Sequence, residues 1–264
     1  MKKDDLQKIL PACIEAVKKA GHYIKTQRIS LSDVDEKEKN SLVSYVDRQA
    51  EEILADALNK ILPDAGFLTE EKTVTQSTQT NLRWIIDPLD GTTNFVYGIP
   101  FFCVSVALEA AGKILLGIIY EPVRDECFYS YDGSHAYLNG KEISVRSSGK
   151  WHESVIVTGF PYNLHGIEEQ YFSVFKEVTL QTRAMRRLGS AALDLAYVAS
   201  GRMHAFYEAR LNAWDIAAGG LIVKNAGGVV CDFSGNDHWL EGNIVAGNEQ
   251  VVHALIEILK KNEF

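Results

Sequence analysis

Trp84-Ile85-Ile86-Asp87-Pro88-Leu89-Asp90-Gly91-Thr92-Thr93-Asn94-Phe95 is an apolar run that ends in two carboxylates, a proline, a glycine and two hydroxyls. Leu82 to Ile86 reads as a strand covered on both faces, and Pro88 and Gly91 punctuate the turn after it. Asp87 and Asp90 then sit at the C-terminal mouth of the strand. Gly91 permits close backbone approach, and a helix starting here aims the amides of Gly91, Thr92 and Thr93 outward, toward an anion. Carboxylates beside such a turn repel a bare phosphate. Cations between them remove the contradiction, and all-oxygen ligands favour hard Mg²⁺ over zinc. Taken alone, the segment fits equally well a plain turn in which Asp90 caps a helix.

Two further segments repeat the theme. Leu62-Pro63-Asp64-Ala65-Gly66-Phe67-Leu68-Thr69-Glu70-Glu71 reads as a helix end, a turn, a short apolar strand and paired acids. Ala213-Trp214-Asp215-Ile216-Ala217-Ala218-Gly219-Gly220 sets an acid where a loop enters an apolar helix, a good position for a cap. Together the three segments resemble the inositol monophosphatase family, Mg²⁺-dependent and Li⁺-sensitive phosphatases that share a fold with fructose-1,6-bisphosphatases. The resemblance covers nearly the whole chain. Ser41-Leu42-Val43-Ser44-Tyr45-Val46-Asp47 is similar to the family's Asp-Leu-Val-Thr-x-x-Asp segment, with Ser41 in place of the first acid and Ser44 in place of the threonine.

The resemblance implies a first Mg²⁺ held by Glu70, Asp87 and the carbonyl of Leu89, and a second shared by Asp87, Asp90 and Asp215. A weakly held third ion near Glu70 is implied as well. Glu70 is expected to activate a water, with the Thr92 hydroxyl and Asp47 orienting it. Substrate contacts are expected from Asp90, Gly91, Thr92, Asp215, the backbone at Ser190 and Ala191, and Glu208, which accepts from ring hydroxyls. Gly189 reads as a conformational requirement and Trp214 as packing that fixes Asp215. Glu71 is expected to point away from Glu70, because side chains alternate along a strand.

Bulk properties agree with a soluble enzyme. A chain of 264 residues with 46% hydrophobic content can bury a large core. A formal charge of −8 and the lack of a Lys/Arg-rich block argue against a general nucleic-acid or anionic-membrane surface. The N-terminus leads into an amphipathic helix pattern and no apolar run reaches membrane length, so a cytoplasmic protein is expected. Cys13, Cys103, Cys127 and Cys231 are scattered and form no Cys-x-x-Cys pair, which reads as structural thiols.

Helical spacing runs from about Leu6 to Arg28 and from Ser44 to Ile61, with a charged loop at 29–40 between them. Phe101 to Ala110, Lys113 to Glu121 and Glu126 to Tyr131 read as an antiparallel meander, and Asn139-Gly140 as a hairpin turn. The polar stretch 146–150 marks a boundary between halves, 1–145 and 146–264. In the second half strands near Ser154, at Leu180 to Met185, at Ala205 to Glu208, at Val229 and at Ile244 alternate with helices, an α/β arrangement. The family resemblance implies a layered αβαβα sandwich of the sugar-phosphatase type, with the site between two intimately packed halves, and a homodimer.

No Gly-x-x-x-x-Gly-Lys run exists, so a nucleotide-cradling loop is unsupported. Two residues separate Asp87 from Asp90, where a phosphoaspartyl enzyme of the Asp-x-Asp type has one, which disfavours a covalent phosphoenzyme and leaves direct attack by water. The sequence reads as a phosphomonoesterase for inositol monophosphate or a similar polyol or sugar phosphate. Fructose-1,6-bisphosphate, NADP(H), histidinol phosphate or a phosphoadenosine nucleotide remain alternatives within that chemistry. A protein-interaction factor in ribosomal RNA synthesis is the alternative outside it. Arg183, Arg186 and Arg187 form the one local basic cluster, read as a solvated face or a dimer edge.

Overall fold

The computed structural model describes residues 1–29, 34–38, 41–77, 81–147, 150–161 and 163–264, without the side chains of 35–38 and 41–42. The first half contains α1 (Lys3–Thr26), β1 (Val34–Glu38), β2 (Ser41–Ser44), α2 (Tyr45–Ile61), β3 (Gly66–Thr69), β4 (Leu82–Asp90) and α3 (Thr92–Val96). β5 (Cys103–Ala110), β6 (Lys113–Glu121), β7 (Glu126–Tyr131), β8 (Ala136–Leu138) and β9 (Lys141–Ile143) follow. Then come β10 (Val155–Thr158), α4 (Glu168–Gln181), β11 (Ala184–Arg186), α5 (Ala191–Ala199), β12 (Ala205–Glu208) and α6 (Ala213–Asn225). The chain ends with β13 (Val229–Cys231), β14 (Ile244–Gly247) and α7 (Glu249–Lys261).

Alternation along β4 explains the layering. Trp84 and Ile86 enter the core shared with α1 and α2, whereas Ile85 enters the core shared with α5 and α6. A strand covered on both faces has no polar side, hence the unbroken apolar run. Each such side chain, fully buried, contributes roughly 1.5–3 kcal/mol. β4 belongs to a seven-stranded sheet of order β3-β4-β5-β6-β7-β8-β9, and β10 to β14 form a second sheet of order β11-β10-β12-β14-β13. The helices α5 and α6 lie between the sheets, α1 and α2 cover one outer face, and α4 and α7 cover the other through a third core. The result is the αβαβα sandwich. None of the described helices is long and apolar enough to cross a membrane.

Four local expectations need correction. The stretch 29–40 is not simply a loop: its described residues 34–38 form a strand that pairs antiparallel with β2. The strand expected at Leu180 to Met185 is shorter, because α4 runs on to Gln181 and β11 begins only at Ala184; Leu180 is 76% exposed, so it supplies no sheet-facing burial there. β4 continues past Ile86 to Asp90. Asn212, not Asp215, is the N-cap of α6, and Asp215 at the third helical position accepts the Asn212 amide at 2.6 Å.

Candidate active site

The extension of β4 through Asp90 decides how its acids are aimed. Residues three apart on a regular strand face opposite sides. Here Asp87 pairs with Ser105 but Asp90 pairs with Cys103, so β4 spends one more residue than β5 over the same stretch. This bulge at Pro88-Leu89 turns both carboxylates to the face occupied by α5 and α6. Pro88 suits the position because it has no amide to donate to the ladder. Gly91 follows with φ +95°, and a Cβ there would press on the carbonyls of Phe101 and Gly189 at 3.1 and 3.2 Å.

Asp87 is buried and accepts the Leu89 amide at 2.9 Å. Burial raises its pKa well above the ordinary carboxylate range, and the charges of Glu70, Asp90 and Asp215 raise it further. The neighbouring Glu70 side chain pushes in the same direction. Asp90 is buried too, and its carboxyl is pushed up to about 6 by burial, against hydrogen bonds from Ser190 and from the Ala192 amide, both at 2.7 Å. Asp215 is raised chiefly by burial and then by Glu70 and Asp90. The four acids expected at the centre therefore feel one another's charge. Among the described residues no three of them converge on one point as a finished metal cage. The chemistry of the donors still fits a hard divalent cation: every donor is an oxygen, and the chief electrostatic neighbours of Asp87 are other acids.

Glu70 follows β3 rather than lying in it, so alternation along a strand does not govern Glu71. The Glu70 amide donates to the Ile86 carbonyl at 3.1 Å. Thr92 lies at the start of α3, its hydroxyl 2.8 Å from Asp47 Oδ1 and 3.0 Å from the Leu89 carbonyl. A hydroxyl has one proton, so while it donates to Asp47 its lone pairs can receive a water. Asp47 is itself held by the Ser44 amide at 2.8 Å and the Ser44 hydroxyl at 2.6 Å. Ser44 caps α2 by accepting the Val46 amide, so the hydroxyl that replaces the family's threonine is in use. The side chain of Ser41 lies outside the described part.

A cleft opens beside Asp90 and Asp215, lined also by Gly189, Ser190, Ala191 and Glu208. Glu208, at the end of β12, is 7% exposed; burial raises its carboxyl to about 8, with Arg187 opposing and Asp90 assisting. Gly159 makes room for it, since a Cβ there would run into the Glu208 carboxylate. Ser190 caps α5 and gives its proton to Asp90, and the Trp214 carbonyl accepts from Ser105 at 3.2 Å. Gly189 has φ +93°, in keeping with a conformational role.

Three contributors escaped the sequence reading. Arg187, exposed like Arg183 and Arg186, nevertheless lines the cleft and opposes the rise of Glu208. Asp194, four residues past the Ser190 cap and thus on the inner side of α5, also lines the cleft, and its buried Oδ1 has no partner. Glu51 accepts hydrogen bonds from Thr69 and Glu71, on either side of Glu70; its spacing of four from Asp47 on an amphipathic helix was the available signal.

A family model for the inositol monophosphatases matches residues 5–263. The chain belongs to the inositol monophosphatase family. It is 42% identical over 256 residues to the inositol-1-monophosphatase of Mesorhizobium japonicum, covering 96% of each chain. It is 38% identical over 251 residues to the Nus factor SuhB of Escherichia coli, covering 94% of each. The crystal structure of the extragenic suppressor protein suhB from Bartonella henselae superposes with a TM-score of 0.88 at 40% identity, over 96% of this chain and 99% of that one. As a member of the inositol monophosphatase family, the chain is a phosphatase, a hydrolase of phosphoric monoesters.

Proposed function

We propose that this phosphatase hydrolyses inositol monophosphate or a similar small polyol phosphate with Mg²⁺, by direct attack of water on phosphorus, as a cytoplasmic homodimer. The observation that carries the reading is the bulge in β4, which turns Asp87 and Asp90 to one face, toward Asp215 and Glu70 and beside the Glu208 cleft. Glu70, Asp87, Asp90, Asp215 and the Leu89 carbonyl would hold two Mg²⁺, with a weaker third near Glu70. Bound there, the ions would offset the repulsion among the acids and stabilise charge on the phosphoryl oxygens.

The residues of the chain supply the rest. Glu70 takes the proton of the attacking water. Thr92 accepts a hydrogen bond from that water while donating to Asp47, which fixes the direction of attack. Gly91 and Thr92 receive the phosphate at the start of α3. Glu208 and the backbone at Ser190 and Ala191 accept from polyol hydroxyls and hold the ring while its phosphate faces the acids. The relative named inositol-1-monophosphatase supports this choice over fructose-1,6-bisphosphate or a nucleotide.

Phosphate release from a panel of inositol, sugar and nucleotide phosphates, with Mg²⁺ and with chelator, tests the proposal. Release from inositol 1-phosphate that stops with chelator is expected. Activity confined to a nucleotide or a bisphosphate would displace the polyol reading, and activity unchanged by chelator would displace the metal. The relatives named Nus factor SuhB favour a second reading, a transcription-associated interaction role alongside catalysis. Affinity capture with the intact chain that recovers no transcription protein would count against it.

A further inference from the structure

Behind the acid cluster lies a carboxylate of opposite character. Glu51 sits one helical turn beyond Asp47 on the inner face of α2, fully buried. Its two oxygens accept four hydrogen bonds from the chain around Glu70. The Thr69 hydroxyl donates at 2.8 Å, the Glu71 amide at 2.8 Å, and the Thr73 amide and hydroxyl at 2.7 Å each. The residue before Glu70 and the residue after it are thereby fastened to one side chain. Lys72, between the two bound amides, has φ +55°, a left-handed conformation unusual for a residue with a side chain. That turn aims the Glu71 and Thr73 amides at the same anion, as successive amides do in a nest. Gln76 completes the clamp: it accepts the Thr69 amide at 2.8 Å and donates to the Thr69 hydroxyl at 3.0 Å.

Burying a carboxylate needs compensation, and here the compensation comes almost wholly from the segment that carries Glu70. We propose that Glu51 is a positioning residue that sets the metal affinity of the site by fixing to α2 the residues on either side of Glu70, Thr69 through its hydroxyl and Glu71 through its amide. The inference rests on the reading of Glu70 as a metal ligand. Glu51 and Asp47, four apart on one helix face, then present two parts of the site from a single element: Asp47 holds Thr92, and Glu51 holds the Glu70 turn. Partners that hold a ligand in place typically govern metal affinity by about 10- to 100-fold.

The experiment is Mg²⁺ binding by calorimetry to wild type, Glu51→Gln and Thr73→Val, with phosphatase activity followed against Mg²⁺ concentration. Glu51→Gln puts an amide against backbone donors, and its Mg²⁺ dissociation constant is expected to rise by about tenfold. At saturating Mg²⁺ most of kcat should return and the substrate KM should stay near wild type. Thr73→Val removes one bond and keeps the carboxylate; a rise of about threefold is expected, and it carries the test if Glu51→Gln does not fold. Wild-type Mg²⁺ affinity in both variants, with only the melting temperature lowered, would overturn the proposal and leave the metal reading standing. A wild-type chain that binds no Mg²⁺ would overturn both.

Discussion

Glu51 and Asp87 are both buried acids, and they live in opposite surroundings. Glu51 receives four hydrogen bonds from neutral donors. Asp87 receives the Leu89 amide, and its chief electrostatic neighbours are three other carboxyls. A carboxylate whose capacity is filled by backbone donors fixes a loop. One set among other acids is held at a cost that binding a cation would offset, as the ligand role proposed for Asp87 requires. Burial alone therefore does not mark a functional acid; the identity of its neighbours does.

The contrast breaks most visibly through Asp87 and Asp90. Asp90→Asn is expected to lower turnover by at least about a hundredfold while the fold persists, since an amide keeps the bonds from Ser190 and Ala192 but loses the charge. Circular dichroism alongside the phosphatase assay checks both halves of that statement, and an active Asp90→Asn would contradict the role given to the acid. Glu51→Ala should behave in the opposite manner, destabilising by about 3 kcal/mol or more because four donors lose their acceptor. Urea denaturation measures it, and a change under about 1 kcal/mol would remove Glu51 from the category of anchors.

The far side of the cleft sharpens the comparison. Glu208→Gln should lower kcat/KM for inositol 1-phosphate by about tenfold, with little change for phenyl phosphate, which offers no hydroxyls. Equal losses on the two esters would mean that Glu208 serves the chemistry instead of the ring. Gly159→Ala, whose methyl would displace the Glu208 carboxylate, should copy the same selectivity.

A pH dependence follows from burial, which pushes the Glu208 carboxyl up to about 8. Between the unfolded and folded values the native state holds a proton that the unfolded chain has lost. This group's contribution to stability is therefore present at low pH and declines as pH rises toward 8, by at most about 1.4 kcal/mol per unit. With chelator present, the melting temperature of Glu208→Gln should fall less over that window than that of wild type.

Much of the site was legible because its acids sit in short, ordered motifs: Glu70-Glu71, Asp87 to Thr92, and Trp214-Asp215. The layering was legible too, since a run buried on both faces leaves an apolar signature and helices leave a periodic one. What escaped were features set by partners distant in sequence. The bulge that turns Asp87 and Asp90 to one face exists only in the pairing with β5, and Pro88 made the strand look finished. β1 escaped because its sequence, one valine followed by Asp35, Glu36, Lys37 and Glu38, carries no alternating apolar pattern. Glu51-Glu52 looks like a solvated doublet until the loop 69–73 folds over the first of the pair. Arg187 reads as one of three surface arginines, and only the cleft separates it from its neighbours.

The acids at the mouth of β4 raise one another's pKa by like charge, a repulsion that a bound cation would relieve. The melting temperatures of wild type and Asp87→Asn, each with chelator and with saturating Mg²⁺, test it directly. The account predicts that without metal Asp87→Asn melts higher than wild type, and that Mg²⁺ raises wild type while leaving the variant nearly unmoved. An Asp87→Asn that melts lower without metal and responds to Mg²⁺ as strongly as wild type would contradict it.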